Sequence, residues 1–357
     1  MVRSVPSYCS FSKAIWNAER YYDEVCDYDP EATSSVTPIP TVTLANGVEM
    51  PMLGLGTTHS GGYHHDVVIH ALRNCGYRMI DTARRYGVER ELGFAWKQSG
   101  VSRSRLFLCS KLWPTDFGSG TRNAFELSCS KLQTDYIDLY MTHFPVVPDF
   151  LGNSRSVLED TWRQLELLYE EGRIRAVGVS NYSEDDLTEL LEYCSVKPHV
   201  NQCEFHPWYN PAALRYFCAD NDILYTGYCP IAKGRFLDSD VLLSLSEKYG
   251  KTPAQICLRW SLEHNVPVIP KSTEKSRIAE NRNVFDFSLD ANDLTEMAEL
   301  HSNPKKLVRF EDLPAKFDLP DGYKLAGRMF GVPHGGFSSP IEAPLLGSAF
   351  VAEPNFC

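Results

Sequence analysis

The sequence lacks several features that would have pointed to other classes of protein. No run of about 20 apolar residues could span a membrane, and residues 1–38 lack the continuous apolar stretch of a secretory signal. The formal net charge of −11 argues against nucleic acid or an anionic membrane as a partner. The eleven cysteines include no C-x-x-C pair, so we expect reduced, mostly structural thiols. These absences predict a monomeric, cytoplasmic protein whose partner is a small molecule.

Strand-like and helix-like segments alternate along most of the chain. Met52–Gly56 is predicted to be a first strand, followed by an amphipathic helix over His64–Cys75. A later helix is predicted over Thr161–Glu171, ending at Gly172. Further strands are predicted at Ile174–Gly178, Val200–Gln202, Ile223–Tyr228 and Pro267–Ile269. Alternation of this kind indicates a parallel sheet, and about eight such units predict a single (β/α)8 TIM barrel of the α/β class.

Composition divides the chain into three parts. Residues 1–40 are tyrosine-rich and acidic, and we expect a flexible N-terminal extension there. Residues 41–302 are predicted to form the barrel, beginning with a β-hairpin cap whose Asn46-Gly47 pair suits a tight turn. Residues 303–357 are rich in glycine and proline and are expected to form a C-terminal tail over the substrate pocket.

Four polar side chains lie at or just beyond the ends of predicted strands. They are Asp81, Tyr86, Lys111 and His143. In a closed barrel, successive strand ends meet on one face, where catalytic residues collect. The sequence therefore predicts one site that contains a carboxylate, a phenol, an ammonium and an imidazole.

Together these groups suit the delivery of a proton to a carbonyl oxygen. A free tyrosine has a pKa near 10, and a neighbouring ammonium favours the phenolate, so we expect Lys111 to lower the pKa of Tyr86. Asp81 would hold Lys111 in place, and His143 would orient the oxygen that receives the proton. No side chain supplies hydride, so a cofactor would have to attack the carbon.

Three segments carry a resemblance to the aldo-keto reductases. They are residues 76–93, the Ser110-Lys-Leu-Trp113 segment and the His143-Phe-Pro145 segment. The resemblance extends from about residue 41 to residue 301. It implies that Asp81, Tyr86, Lys111 and His143 form the catalytic tetrad of an NADPH-dependent enzyme that reduces aldehydes and ketones. It also implies that Trp113 and Phe144 line the substrate pocket.

A basic segment follows the last predicted strand and opens a helix. A helix N-terminus offers unpaired N–H groups and partial positive charge, which suit a phosphate. Lys271 and Arg277 would add full charges there. The resemblance implies that Lys271, Ser272 and Arg277 contact the 2′-phosphate of NADPH, with Glu280 and Asn281 nearer the adenine.

The resemblance also places the nicotinamide end of the cofactor. It implies contacts from Thr57, Asp81, Ser180, Asn181, Gln202 and Tyr228, with the Tyr228 ring stacked on the nicotinamide. The glycines before Thr57 do not form a dinucleotide-fold fingerprint, which argues against a doubly wound fold.

Plainer interpretations stay open for several of these residues. Ser180 and Asn181 could be only a helix cap, and Lys271 and Arg277 only a basic helix face. His59, His64, His65 and His206 show no spacing of metal ligands, so we expect no metal site. As a whole, the chain could instead be a non-catalytic barrel that binds NADPH as a redox sensor or regulatory subunit, or a barrel with a structural purpose. The substrate itself cannot be read from the tail.

Overall fold

The computed structural model describes residues 37–58, 62–309 and 324–327. Most of the predicted N-terminal extension, most of the predicted tail and His59 therefore lie outside the described residues. Within these ranges the fold is the predicted barrel, with strands and helices alternating along the chain.

The sheet of the barrel is parallel, and its strands follow one another in chain order. In the described residues it contains β3 (Leu55–Gly56), β4 (Met79–Asp81), β5 (Phe107–Leu112), β6 (Ile137–Thr142), β8 (Ile174–Ser180), β9 (Val200–Glu204) and β10 (Leu224–Tyr228). Val268 then forms parallel bridges to Gly227 of β10 and to Leu53 beside β3. The cylinder is therefore closed, and the predicted strand at Pro267–Ile269 appears as this short bridging segment.

Helices surround the sheet on the outside. They are α1 (His65–Arg73), α2 (Glu89–Gln98), α3 (Thr121–Leu132), α4 (Ser154–Glu170), α5 (Glu184–Tyr193), α6 (Ala212–Asp220), α7 (Asp240–Tyr249), α8 (Pro253–Glu263), α9 (Lys275–Arg282) and α10 (Ala291–Ala298). The prediction for α4 was wrong at its start, which lies seven residues before Thr161. The Asn153 side chain accepts a hydrogen bond from the Ser156 N–H and begins the helix there.

A β-hairpin closes the amino-terminal end of the barrel, as predicted. Its strands are β1 (Thr41–Thr43) and β2 (Glu49–Pro51), joined by a turn in which Gly47 has a φ of 82°. That left-handed conformation suits glycine. Leu44 and Met50 from the hairpin belong to the same buried cluster as Met79 and Leu139 of the barrel interior. The hairpin therefore covers the buried interior at the amino-terminal end of the barrel.

Two described pieces of the C-terminal region lie at the opposite end, near the carboxyl ends of the strands. The Glu204 carboxylate at the end of β9 accepts hydrogen bonds from the backbone N–H groups of Leu307 and Val308, at 2.6 and 2.8 Å. Further on, β11 (Leu325–Ala326) pairs antiparallel with β7 (Val147–Pro148), just after the predicted catalytic histidine. The chain thus returns twice to the face where the strand ends meet.

Two observations bear on the absences in the sequence. Among the described helices, none combines the length and apolar character needed to cross a bilayer. In the same part of the chain, no group of three or more His, Cys, Asp or Glu side chains could hold a metal ion.

Seven described cysteines are free thiols, but Cys229 is disulfide-bonded. The expectation of reduced thiols is therefore wrong for Cys229.

Candidate active site

Asp81 and Lys111 form a buried ion pair at the ends of neighbouring strands. Lys111 Nζ lies 2.5 Å from Asp81 Oδ1 and donates a second hydrogen bond to the Thr82 carbonyl at 3.0 Å. Both side chains are almost fully buried. Burial lowers the pKa of Lys111, but the Asp81 carboxylate acts in the opposite direction, and the net effect is a raised pKa. The ammonium therefore stays charged inside the protein.

Tyr86 stands beside this pair on a short turn that follows β4. The turn covers Arg84–Tyr86 and ends at Gly87, whose φ of 73° reverses the chain direction. Lys111 Nζ lies 5.4 Å from the centroid of the Tyr86 ring. Burial raises the pKa of Tyr86, while the charge of Lys111 and a hydrogen bond with it act to lower that pKa. The expected net lowering was wrong, because burial outweighs the ammonium and the phenol stays protonated at neutral pH.

His143 completes the group of four and contacts three aromatic side chains. Its ring lies 5.7 Å from the Tyr86 ring and 5.3 Å from the Trp113 ring, both edge to face, and it stacks on Phe144 at 5.0 Å. Burial, Lys111 and Arg85 hold the pKa of His143 well below its usual range. The imidazole is therefore neutral at physiological pH. Its buried Nδ1 makes no hydrogen bond within the described part of the chain, which leaves a polar atom for a ligand.

A network of amides extends from the ion pair to Tyr228. Gln202 Nε2 donates to Asp81 Oδ2 at 2.8 Å, and the Ser180 hydroxyl donates to the Gln202 carbonyl. Asn181 Nδ2 donates to the His143 carbonyl at 2.9 Å, and its Oδ1 accepts from the Tyr228 hydroxyl at 2.7 Å. These bonds fix the orientation of every member of the network. They leave the Gln202 Oε1 atom and a second lone pair on Asn181 Oδ1 available to accept from a cofactor.

The interpretation of Ser180 and Asn181 as a helix cap is wrong. The N-cap of helix α5 is Ser183, whose hydroxyl accepts from the Asp186 N–H while the Asp186 carboxylate accepts from the Ser183 N–H. Asn181 instead has a left-handed φ of 64°, and its side-chain amide is hydrogen-bonded to His143 and Tyr228. Its position between His143 and Tyr228 favours the cofactor role.

A cavity of about 780 Å³ opens beside Tyr86 and Tyr228. This volume is in the range of ligand pockets. Most of the residues predicted to bind the cofactor line the cavity: Thr57, Asp81, Tyr228, Lys271, Ser272, Arg277, Glu280 and Asn281. Ser180, Asn181 and Gln202 are not among the lining residues. Gln202 is hydrogen-bonded to Asp81 and Asn181 to Tyr228, which are, and Ser180 is hydrogen-bonded to both Gln202 and Asn181. The structure therefore brings the predicted cofactor and catalytic residues to one place.

The far end of the cavity is basic. Lys271 is half-buried, and burial lowers its pKa; Arg277 is exposed on α9 and forms no ion pair with any described residue. Both flank the N-terminus of α9. Glu280 Oε1 accepts a hydrogen bond from the Thr252 hydroxyl at 2.7 Å. That bond links α9 to the start of α8.

The sequence interpretation missed several residues of the cavity, among them Thr58, Lys233 and Arg235. Lys233 belongs to a short turn, Ala232–Gly234, directly after β10, and has a left-handed φ of 55°. Burial lowers the pKa of Lys233. Lys233 could have been found from the sequence, because it is a lysine beside a glycine shortly after the strand that ends at Tyr228.

Comparisons with known proteins agree with this geometry. Residues 52–302 match the model of the Aldo/keto reductase family. An uncharacterised oxidoreductase of Caenorhabditis elegans is 55% identical over 83% of this chain and 92% of that protein. The glyoxal reductase of Bacillus subtilis is 43% identical over 74% of this chain and 94% of that protein. A crystal structure of a Bombyx mori aldo-keto reductase in complex with NADP has a TM-score of 0.71 and 28% identity, covering 80% of this chain and 99% of that one.

Proposed function

Because this chain belongs to the aldo/keto reductase family and is an NADPH-dependent carbonyl reductase, we propose that Tyr86 is its proton donor. The observation that carries the proposal is the buried contact of Tyr86 with Lys111, next to a neutral His143 and a large cavity. In this site the substrate is a small aldehyde or ketone.

The cavity fits NADPH in both shape and chemistry. The coenzyme, when bound, supplies hydride to the carbonyl carbon. Tyr228 offers an aromatic face near Tyr86, and the acceptor atoms of Asn181 and Gln202 suit the amide group of a nicotinamide. At the other end, Lys271 and Arg277 match the 2′-phosphate that distinguishes NADPH from NADH.

The proton moves from the Tyr86 hydroxyl to the carbonyl oxygen. Since burial raises the pKa of Tyr86, the phenol is fully protonated and ready to donate at neutral pH. The Lys111 ammonium then stabilises the phenolate that donation leaves behind. Asp81 acts as a positioning residue that holds Lys111 at 2.5 Å. The neutral His143 hydrogen-bonds the substrate oxygen and aims it at Tyr86.

We also propose that aromatic side chains line the substrate site and that the C-terminal tail covers it. The rings of Trp113 and Phe144 pack edge to face at 5.9 Å, and both contact the His143 ring. The chain anchored on Glu204 and the β7–β11 pair both lie near the strand ends. These contacts support a tail after residue 302 that covers the pocket. They also support a barrel boundary near residue 302, and the β1–β2 hairpin supports one near residue 41.

Turnover of NADPH tests the proposal directly. The purified chain would be mixed with NADPH and a panel of small aldehydes, ketones and glyoxals, and the loss of NADPH absorbance would be followed. We expect Tyr86→Phe to lower kcat/KM by roughly 10²–10⁴-fold, the usual contribution of a general acid. Tyr216→Phe, at a tyrosine that is 65% exposed, is the matched control and should leave the rate unchanged. Equal turnover by Tyr86→Phe and the control would remove Tyr86 from the mechanism.

The same experiment separates the enzyme from a non-catalytic NADPH sensor. Tight NADPH binding without turnover on any carbonyl compound would favour the sensor. The assembled Asp81, Tyr86, Lys111 and His143 group favours the enzyme.

We also propose that the protein is a cytoplasmic monomer. Seven of the eight described cysteines are free thiols, which supports a reducing compartment, and the disulfide at Cys229 is the exception. Cell fractionation and light scattering on the purified protein test it, and a membrane-bound or dimeric pool would contradict it.

A further inference from the structure

The turn that carries Tyr86 is hydrogen-bonded to β5 both before and after the phenol. Before the turn, the Thr82 carbonyl accepts a hydrogen bond from Lys111 Nζ at 3.0 Å. After the turn, the Glu89 carboxylate accepts one from the Ser110 hydroxyl at 2.8 Å. Ser110 directly precedes Lys111 in β5. Both sides of the turn are therefore attached to the strand that carries the catalytic ammonium.

The bond between Glu89 and Ser110 lies in the protein interior. Glu89 is 1% exposed and Ser110 is 0% exposed. Glu89 is also the first residue of α2, where the partial positive charge of a helix N-terminus favours an ionised carboxylate. A hydrogen bond to an ionised acceptor is stronger than one between neutral groups. The bond therefore fixes the start of α2 to the strand.

Stability alone does not account for a carboxylate at this position. The Glu89 Oε2 atom is buried and has no hydrogen-bond partner in the described part of the chain. A buried charged group that is only partly hydrogen-bonded costs free energy, and a well-packed apolar side chain would avoid that cost. An apolar side chain could not, however, accept the hydrogen bond from Ser110. This contrast points to a role in positioning.

The bond lies close, along the chain, to both partners of the proton-donating contact. Only two residues separate Tyr86 from Glu89, and Gly87, with its φ of 73°, reverses the chain between them. On the strand, Ser110 and Lys111 are joined by one peptide bond. The bond therefore helps to set the distance of 5.4 Å between Lys111 Nζ and the centroid of the Tyr86 ring.

We propose that Glu89 is a positioning residue for the proton transfer, which acts through Ser110 to hold the Tyr86 phenol next to the Lys111 ammonium. Glu89 is not among the residues that line the described cavity, so it acts on the phenol and not on the substrate. This inference rests on the proposed role of Tyr86 as proton donor and adds the residue that sets its geometry.

Substitutions on both sides of the bond test the inference. Glu89→Leu removes the acceptor and Ser110→Ala removes the donor. Each should lower kcat by about 10–100-fold, because small displacements of a catalytic group have effects of this size. The Kd of NADPH, measured by quenching of tryptophan fluorescence, should stay within about 3-fold of wild type, since neither residue lines the coenzyme cavity.

Three further readouts separate positioning from a general loss of stability. The double variant should be no slower than the slower single variant, because both changes remove the same hydrogen bond. Glu89→Gln should keep most of the rate, since the glutamine Oε1 can still accept from the Ser110 hydroxyl. The solvent deuterium isotope effect on kcat should rise in Glu89→Leu and in Ser110→Ala, because a displaced phenol makes proton transfer slower.

Glu166→Leu is the matched control. Glu166 is 2% exposed, and its Oε1 atom accepts from the N–H groups of Ser195 and Val196 at 2.5 and 2.8 Å. It is a buried carboxylate like Glu89, but it holds no part of the Tyr86 turn. Its loss should lower Tm and leave kcat and the isotope effect unchanged at temperatures where the variant is folded.

Four results would overturn the inference. They are wild-type kcat in Ser110→Ala, rate losses that add in the double variant, a Glu89→Gln variant as slow as Glu89→Leu, and an equal loss of kcat in Glu166→Leu. If Glu89→Leu does not fold, Ser110→Ala and Glu89→Gln decide between the outcomes. Failure of the wild type to oxidise NADPH with the whole carbonyl panel, or equal turnover by Tyr86→Phe, would instead contradict the proposed function.

Discussion

The buried pair of Asp81 and Lys111 allows a prediction about stability as well as activity. Lys111→Met removes the ammonium and leaves the Asp81 carboxylate buried, with its hydrogen bond from Gln202 but without its counter-charge. Asp81→Asn leaves the Lys111 ammonium buried, with the Thr82 carbonyl. Breaking a buried ion pair from one side costs about 3–5 kcal/mol, because one charge stays in a medium of low polarity. Each single variant should therefore lose about that much free energy of unfolding.

The double variant should be more stable than the sum of the two losses predicts. With Asp81→Asn and Lys111→Met together, no charge of the pair remains buried. Its loss should be no larger than that of either single variant, which corresponds to a coupling free energy of about 3 kcal/mol. The measurement is urea unfolding of the apoprotein, followed by tryptophan fluorescence and by circular dichroism to check that the transition is two-state.

The outcome that would refute the reasoning is additivity. If the two losses sum within about 0.5 kcal/mol, the side chains do not interact in solution, and the 2.5 Å contact has no energetic consequence. Activity gives an independent comparison. All three variants should be slow in carbonyl reduction. Lys111→Met and the double variant lack the ammonium next to Tyr86, and Asp81→Asn lacks the carboxylate that holds it there. A double variant that regained stability and activity together would contradict the role of the ammonium.

Three further predictions follow from other parts of the site. Lys271→Ala and Arg277→Ala should weaken NADPH binding by about 10–100-fold and NADH binding far less, measured by titration; equal losses would contradict the phosphate assignment. Glu204→Gln replaces the carboxylate that accepts from two tail N–H groups, so the free energy of unfolding should fall by about 1–3 kcal/mol, and an unchanged Tm would count against the anchor. The pKa of His143 in the folded protein lies well below 6.5, so as the pH falls the unfolded chain takes up a proton at this residue before the folded protein does. The free energy of unfolding should therefore decrease as the pH falls below about 6.5, by up to about 1.4 kcal/mol per pH unit. In urea titrations at pH 7 and pH 5, His143→Gln should lose part of this pH dependence, whereas the exposed control His64→Gln should keep it.

The fold was predictable because the chain repeats one unit. Strand and helix periods alternate from Met52 onwards, and Asn46-Gly47 marks the hairpin turn, so local patterns were sufficient. The start of α4 was not predictable from hydrophobic spacing, because it depends on the Asn153 cap. The bridging segment at Val268 is extended only because its two neighbours hold it, which no local pattern describes.

The candidate site was predictable in its membership but not in its energetics. The positions of Asp81 and Lys111 at strand ends were sufficient to bring them together. The direction of the Tyr86 pKa was wrong, because a sequence gives the neighbours of a phenol but not how deeply it is buried. The bond between Thr252 and Glu280 is a tertiary contact between distant elements, which no local pattern describes.

The closure of the barrel at Val268 has a consequence for its dynamics. Val268 joins its two neighbours through isolated bridges and not through a strand ladder. The hydrogen bonds there include Gly54 N–H to the Val268 carbonyl at 2.9 Å and Val268 N–H to the Met52 carbonyl at 3.0 Å. Local opening should begin there, where amide protons would exchange with solvent soonest. Gly56 on one side of the joint and Pro270 on the other both line the dinucleotide cavity. A bound coenzyme would contact both edges of the joint and stabilise the closed barrel. At low NADPH concentration the protein should therefore open locally more often and be cleaved more readily by proteases.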